Sequence, residues 1–312
     1  MSDAVATRRR ILPTRASRRR SRLAPYLFVA PYAVFLIAFG VAPALYALWM
    51  SFRRNSDTGL GTTFDGLGRW RAVLDDSRLP DAASHVGTYL LVWLPTMLVV
   101  IVVLALLAHA RRGRFSTAMR FAWYLPGAVT GSAAALLWLF MISPALSPFG
   151  PLLDLLGIET ATDALTPSRL PLVLALIATA VTAGGWIVVL YGAMSALPGE
   201  VFDAARVDGA NAWQLATRIK LPMVRKYLAL ALVSCFAYGT QVFVEPQVLG
   251  SAFSGQISPT WSVNQLGYFY ATQQGDFGMA AALSLMLLAV GLTVALVIVF
   301  RTKLYATDAT ER

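Results

Sequence analysis

The chain has 312 residues, of which 57% are hydrophobic and only 13% charged, a balance that excludes an ordinary soluble domain. Its net charge of +10 arises from 26 Lys and Arg against 16 Asp and Glu, gathered in blocks between long apolar runs. The one cysteine, Cys235, excludes an internal disulfide or a thiolate cluster, and the two histidines, His85 and His109, stand too far apart in sequence to suggest a metal site.

Apolar runs of about 20 residues are what the hydrocarbon core of a bilayer requires of a helix. Eight arginines fall within residues 1–23, a basic tail just before an apolar run at 24–50. That run is long and holds Pro25, Pro31 and Pro43, so it reads as a retained span and not as a cleaved signal peptide. Residues 51–84 are polar, with five arginines, five aspartates and four glycines, and are placed outside. Further spans are expected at 86–108, 121–142, 170–193, 227–248 and 279–300, and a tail follows at 302–312. The segments 143–168 and 249–278 carry no Lys or Arg and are also placed outside.

Charge asymmetry orients this arrangement. If 1–23, 109–120, 194–226 and 301–312 face the cytoplasm, 20 of the 26 Lys and Arg lie inside. The positive-inside rule then favours an all-α membrane protein of six spans with both termini cytoplasmic. The same clustering explains the net charge without a nucleic-acid partner. The surrounding lipid is the expected environment.

The longest polar interruption in the second half is 194–226. Pro198 suits the opening of a helix and Glu200 its first turn, where the positive helix end favours a carboxylate. Asp208-Gly209 ends that helix, and Asp208 is expected to cap the next. Ala212, Leu215, Ala216 and Ile219 then recur at helical spacing until Pro222, expected to stop the second helix. Two short amphipathic helices between spans read as a docking element.

No phosphate-binding G-x-x-x-x-G-K-[ST] loop occurs, and the lysines Lys220, Lys226 and Lys303 never follow Gly. Nor does the chain show a G-x-S-x-G nucleophile, which speaks against an enzyme. An ion-coupled secondary carrier is the rival reading. Such carriers need ionisable groups at membrane depth, and the expected spans offer one acid, Glu245.

The stretch Asp203-Ala204-Ala205-Arg206-Val207-Asp208-Gly209-Ala210, followed by Ile219-Lys220-Leu221-Pro222, resembles the Glu-Ala-Ala loop of permease subunits in binding-protein-dependent ABC importers. Ala196-Leu197-Pro198, Leu125-Pro126 with Trp138, and Gly278-Met279-Ala280-Ala281-Ala282-Leu283-Ser284 are similar to other landmarks of that family, most nearly its maltose- and glycerol-3-phosphate-type carbohydrate-uptake class. Departures are Asp203 for the leading Glu, Ala216 where an aromatic is usual with Trp213 as a substitute, Lys226 for a proline, and 249–255 in place of a Thr-Gly-Gly-Pro-like segment. The resemblance implies an importer-permease fold occupying 24–301 and a coupling helix that grips a separate ATPase dimer through Asp203, Ala204, Ala205, Arg206, Asp208, Gly209, Ala210, Trp213, Ile219, Leu221 and Pro222. It further implies a second related permease subunit, an extracytoplasmic solute-binding protein, a sugar substrate, ATP bound on the partner and no cofactor here, and a bacterial or archaeal cytoplasmic membrane. Trp186, Tyr238, Phe243 and Glu245 are the candidates for the substrate path.

Overall fold

The computed structural model describes residues 15–55, 61–111, 113–129, 131–253 and 255–302. Most of the basic N-terminal tail and the C-terminal tail from 303, both expected in the cytoplasm, lie outside the described residues. The chain divides into two compact units, Met1–Met50 and Ser51–Arg312.

The first unit is helical throughout its described part: α1 (Arg15–Leu36), a widened turn (Ile37–Val41) and α2 (Ala42–Met50). At the widened turn the Ala42 N–H reaches back five residues to the Ile37 carbonyl. Pro43 follows directly. A proline offers no N–H and its ring crowds the preceding turn, so a π-type turn lets the helix pass it without breaking.

The second unit opens with an antiparallel hairpin, β1 (Arg53–Asn55) and β2 (Thr62–Phe64), followed by α3 (Gly68–Leu74) and α4 (Arg78–Ala110). Then come α5 (Arg114–Tyr124) with a 3₁₀ turn to Ala128, α6 (Gly131–Met141), α7 (Gly150–Leu155), α8 (Ala161–Ala164) and α9 (Leu170–Ser195). The remainder is α10 (Gly199–Val207), α11 (Ala212–Gln214), a π turn (Leu215–Lys220), α12 (Leu221–Gly239), α13 (Val244–Ala252), α14 (Val263–Thr272) and α15 (Phe277–Thr302).

Four helical stretches are long and apolar enough to cross a membrane singly: Tyr26–Met50, α4, α9 and α15. The count rises to six if two bent pairs each make one span, Arg114–Ala128 with Gly131–Met141 and Ala212–Gly239 with Val244–Ala252. The expected third and fifth spans are therefore broken helices. Pro126 and Gly127 tighten the chain ahead of the first break, and Gly131 follows it at φ +63°. The second break, between Gly239 and Val244, bends the axis by 40°.

Other boundaries also move. The helix that contains the expected second span begins at Arg78, ahead of 86, because Asp76 Oδ1 accepts the Arg78 N–H and stabilises the helix start well inside the polar loop. The segment 249–278, read as an outside loop, holds α14, started by a reciprocal cap: the Gln265 N–H bonds Ser262 Oγ and the Ser262 N–H bonds Gln265 Oε1.

The core forms around α9. In its most apolar window half the residues are buried, against 22% for α4 and 6% for α15. Leu174, Ile177, Ala183, Ile187, Leu190 and Met194 are almost wholly enclosed. At Gly184 the backbone of α5 comes so close that an added Cβ would lie 2.3 Å from the Trp123 carbonyl oxygen. Small residues at such crossings let helices approach where lipid supplies no hydrophobic drive.

One end of the unit is laced by polar contacts between the first polar segment and the entry to α15. Arg69 bridges Asp65 and Asp276, and Asn55 Nδ2 donates to the Gly275 carbonyl at 2.8 Å. Asp76 receives Arg78 Nη2 at 2.6 Å and the Tyr270 hydroxyl at 2.8 Å. The Arg78 hydrogen bonds, chiefly, hold the Asp76 carboxyl at about 2, well below its ordinary 3.8.

Two outcomes follow from this packing. Gly184→Leu forces two backbones apart and should destabilise the protein by roughly 1–3 kcal/mol, while Gly185→Ala, with nothing within 4 Å of its Cβ, should be tolerated. Thermal unfolding in detergent distinguishes them, and equal Tm values would refute the crossing. Because the folded pKa of Asp76 is depressed, its stabilising contribution is complete above about pH 4 and is lost as pH falls toward 2. Asp76→Asn should lower Tm at neutral pH and flatten the Tm decline between pH 4 and pH 2.

Candidate functional site

Two sites emerge, one at each level of the second unit. The first is the polar stretch between α9 and α12. Pro198 precedes α10 as its cap, with Glu200 in the first turn. The helix ends at Val207, where Gly209 takes φ +82°, a left-handed conformation that other residues adopt only with strain. Asp208 does not cap the second helix as expected. Asn211 does, its side chain accepting the Gln214 N–H at 2.8 Å while Gln214 Oε1 accepts the Asn211 N–H at 2.9 Å.

Pro222 does not stop that second helix either. The Leu221 N–H bonds the Ala216 carbonyl five residues back, so the turn widens before the proline and the helix continues into α12. Leu221 and Pro222 thus open α12, and Ile219 lies half-buried in the widened turn.

One face of α10 is anchored and the other is open. Phe202 is buried, its ring edge-on to His109 at 6.1 Å. Lys220 Nζ donates to His109 Nδ1 at 3.0 Å and lies 5.5 Å from the Phe202 ring centre. An ammonium has only donors, so Nδ1 accepts. Burying such a charge costs several kcal/mol unless it is compensated; the imidazole and the ring face offset that cost here. His109 also meets Tyr191, over which Arg120 lies at 3.9 Å. The end of α4, the end of α9 and both helices of the loop are thereby joined.

On the open face Asp203, Ala204, Arg206, Asp208 and Gly209 are exposed, Ala205 and Ala210 partly so. Val207 is 87% and Trp213 76% exposed. Arg206 pairs with Asp203 at 2.7 Å in an exposed i,i+3 contact of small energetic weight. Beside this anchor lies a cavity of about 930 Å³, bordered by Leu107, Phe202, Trp213, Leu215 and Lys220. His109 and Phe202 escaped sequence reading, since a lone histidine and a lone phenylalanine carry no pattern.

The second site lies among the spans. A cavity of about 210 Å³ is bordered by Tyr89, Tyr238, Gln241, Phe243, Glu245 and Gly131. Three of the four path candidates, Tyr238, Phe243 and Glu245, meet there. Trp186 does not: it packs on the hydrophobic core beside Cys235. The lining aromatics are backed by further rings, Tyr89 stacked on Trp93 at 5.5 Å, Trp93 tilted to Tyr238 at 6.0 Å, and Phe243 edge-on to Tyr268 at 5.4 Å. Both helix breaks reach this cavity, one through Gly131 and the other through Gln241, Val242 and Phe243. Non-helical backbone within a membrane is sustained where it borders a cavity or is enclosed by protein. Among the described residues no group of three or more His, Cys, Asp or Glu is placed to hold a metal.

The chain is 28% identical over 276 residues to the trehalose transport system permease protein SugA of Mycobacterium tuberculosis, covering 87% of this chain and 86% of that one. It is 32% identical over 212 residues to the sn-glycerol-3-phosphate transport system permease protein UgpA of Brucella suis, covering 65% and 69%. The fold is similar to that of a bacterial ABC transporter involved in the import of the acidic polysaccharide alginate, with a TM-score of 0.73 at 19% identity over 93% of this chain and 99% of that one. These likenesses give no support to an ion-coupled carrier. Residues 66–304 match the family of binding-protein-dependent transport system inner membrane components, and the chain belongs to that family of non-enzymatic permease subunits, whose ATPase is a separate chain.

Proposed function

We propose that this permease subunit imports a sugar or sugar-like solute, forming half of a path completed by a second, related permease. It crosses the membrane six times, each bent pair being one span, with 1–23 and 302–312 in the cytoplasm and 24–301 as the transmembrane domain. The charge distribution supports this orientation. Helix α4 separates the two polar regions, its start pairing with Asp76 and its end, at His109, contacting the 194–226 stretch.

In this reading 194–226 is the coupling loop. Asp203, Ala204, Ala205, Arg206, Asp208, Gly209, Ala210 and Trp213 present its open face to an ATPase dimer, which carries the ATP. Ile219, Leu221 and Pro222 connect it stiffly to the fifth span. The observation that carries the proposal is this two-faced helix, keyed to the ends of α4 and α9 through Phe202, His109 and Lys220 and open on its other side. Movement of α10 by the ATPase then displaces the spans as a body, the rigid-body class of switching.

The substrate passes the cavity where the two broken spans meet. Aromatic faces at Tyr238 and Phe243 suit the apolar faces of a sugar ring, and Glu245, Gln241 and the tyrosine hydroxyls suit its hydroxyl groups. Trehalose, glycerol 3-phosphate and alginate, named for the similar proteins, set the range of solutes. A binding protein docks on the opposite end, at 51–84 and 249–278; a structure similar to this chain is of an alginate transporter in complex with its loaded periplasmic protein.

Gly209→Trp should leave the subunit inserted and assembled but reduce solute uptake and binding-protein-stimulated ATP hydrolysis at least about tenfold, a barrier change near 1.4 kcal/mol. Phe202→Ala should act in the same direction by loosening the anchor. Wild-type uptake by the Gly209 variant in proteoliposomes would overturn the coupling assignment. Tyr238→Ala and Glu245→Gln should each lower kcat/KM for uptake roughly tenfold, since a site built to bind hydroxyls suffers when its partners are removed. Unchanged uptake kinetics in both would remove the cavity from the path.

A further inference from the structure

A third cavity, of about 220 Å³, lies on the other flank of α9. Successive helix residues turn by about 100°. Leu174 and Ala178 border the solute cavity, and Leu172 and Leu176 therefore point nearly the opposite way, into this one. Its remaining walls come from the end of α6, at Trp138 and Ile142, and from the stretch Leu153 to Ala164 that folds back over them. The lining is apolar with one exception, the Arg169 side chain at the rim.

Its surroundings are those of a membrane boundary. Phe149, Leu152, Leu155 and Leu156 are all more than half exposed, Leu155 at 83%, and on α9 Leu172 and Leu176 are each 53% exposed. A volume of 220 Å³ would take roughly seven waters at about 30 Å³ each, but apolar walls leave such waters without partners. An apolar chain is the better occupant.

The polar rim specifies the rest of the ligand. Arg169 Nη1 donates to the Gly157 carbonyl at 2.9 Å and to the Asp163 carbonyl at 3.5 Å, and its guanidinium forms no salt bridge among the described residues. Asp163 spends one carboxylate oxygen on the Glu159 and Thr160 N–H groups and the Thr160 hydroxyl; the other accepts no hydrogen bond among the described residues. One cation therefore stands beside Asp163 in a segment that also carries Asp154 and Glu159. A headgroup carrying only negative charge meets the Asp163 carboxylate as well as the Arg169 guanidinium. A headgroup with a phosphate and a primary ammonium meets a partner for each.

We propose that this outer flank of α9 is a site for a zwitterionic aminophospholipid, one acyl chain in the cavity, the phosphate on Arg169 and the ammonium on Asp163. The site is separate from the solute cavity and rests on the chain being embedded in lipid.

The test uses the transporter complex purified in detergent, stripped of lipid and incubated with palmitoyl-oleoyl phosphatidylethanolamine or the matching phosphatidylglycerol, with bound lipid counted by native mass spectrometry. Wild type should retain phosphatidylethanolamine about tenfold better than Arg169→Gln, the loss expected for one charge-assisted hydrogen bond. Leu172→Trp, on an exposed position, should fill the cavity and release the lipid while the complex keeps its thermal stability. Asp163→Asn retains an oxygen acceptor for the α8 cap and should abolish the preference for phosphatidylethanolamine over phosphatidylglycerol. Equal retention by wild type and Leu172→Trp would overturn the site, and equal binding of the two lipids by wild type would overturn its headgroup assignment. A photo-crosslinker at Leu156 that captures another protein subunit in place of lipid would also overturn it. None of these readouts depends on uptake or ATP hydrolysis, so they fail independently of the transport assignment.

Discussion

Backbone hydrogen bonding in an apolar slab is the constraint to which the rest of this structure answers. A peptide group without a partner in hydrocarbon costs several kcal/mol, and prolines and glycines in long apolar runs would seem to impose that cost. Two devices meet it at four of these positions. Ahead of Pro43 and Pro222 the helix widens, with N–H groups bonding carbonyls five residues back, and the rod continues. At the two positions where the helix does break, the open backbone borders a cavity shared by both breaks. Irregular backbone is thus concentrated where it borders a cavity, the arrangement found in transporters whose sites are built from discontinuous helices.

The widened turn before Pro222 has a second consequence. Had the proline ended the helix, the loop would hang on a flexible joint and a push on α10 would dissipate. Continuity from Ala212 through Gly239 makes the second loop helix an extension of the fifth span. The buried Lys220 lies at the end of the widened turn, where its ammonium reaches back to His109 and to the face of Phe202. A buried cation tolerates little displacement from its partners. The loop and the ends of α4 and α9 are therefore constrained to move together.

Much of this was legible in the amino-acid sequence because it depends on hydropathy and on local punctuation. Apolar run lengths located the membrane helices, and Asp208-Gly209 correctly marked the end of α10. What was misread depends on alternatives of similar local energy. Asp208 and Asn211 are both good caps, and only the reciprocal bond with Gln214 selects Asn211. A proline within an apolar run can stop a helix, widen it as before Pro222, or sit inside it as Pro95 does in α4, and tertiary packing decides. The Ser262-x-x-Gln265 signature of α14 was present but sat in a segment whose Gly and Ser content suggested a loop. The anchor brings His109, at the end of α4, to Phe202 and Lys220, 93 and 111 positions further along the chain, and no periodicity encodes such a meeting.

Helix α9 shows how one apolar run of 26 residues can serve several surroundings at once. Its composition is nearly uniform, so hydropathy alone cannot tell its faces apart. What differs is the neighbour each face meets. Toward Tyr238 and Glu245 the small side chain of Ala178 leaves room for a polar cavity. At Gly184 the absence of a side chain admits the backbone of α5. On the outer flank Leu172 and Leu176 stand apart from the core and leave a gap closed only by the fold-back of 153–164. Side-chain volume along this helix, more than polarity, therefore decides where the protein is solid and where it leaves each of the two cavities.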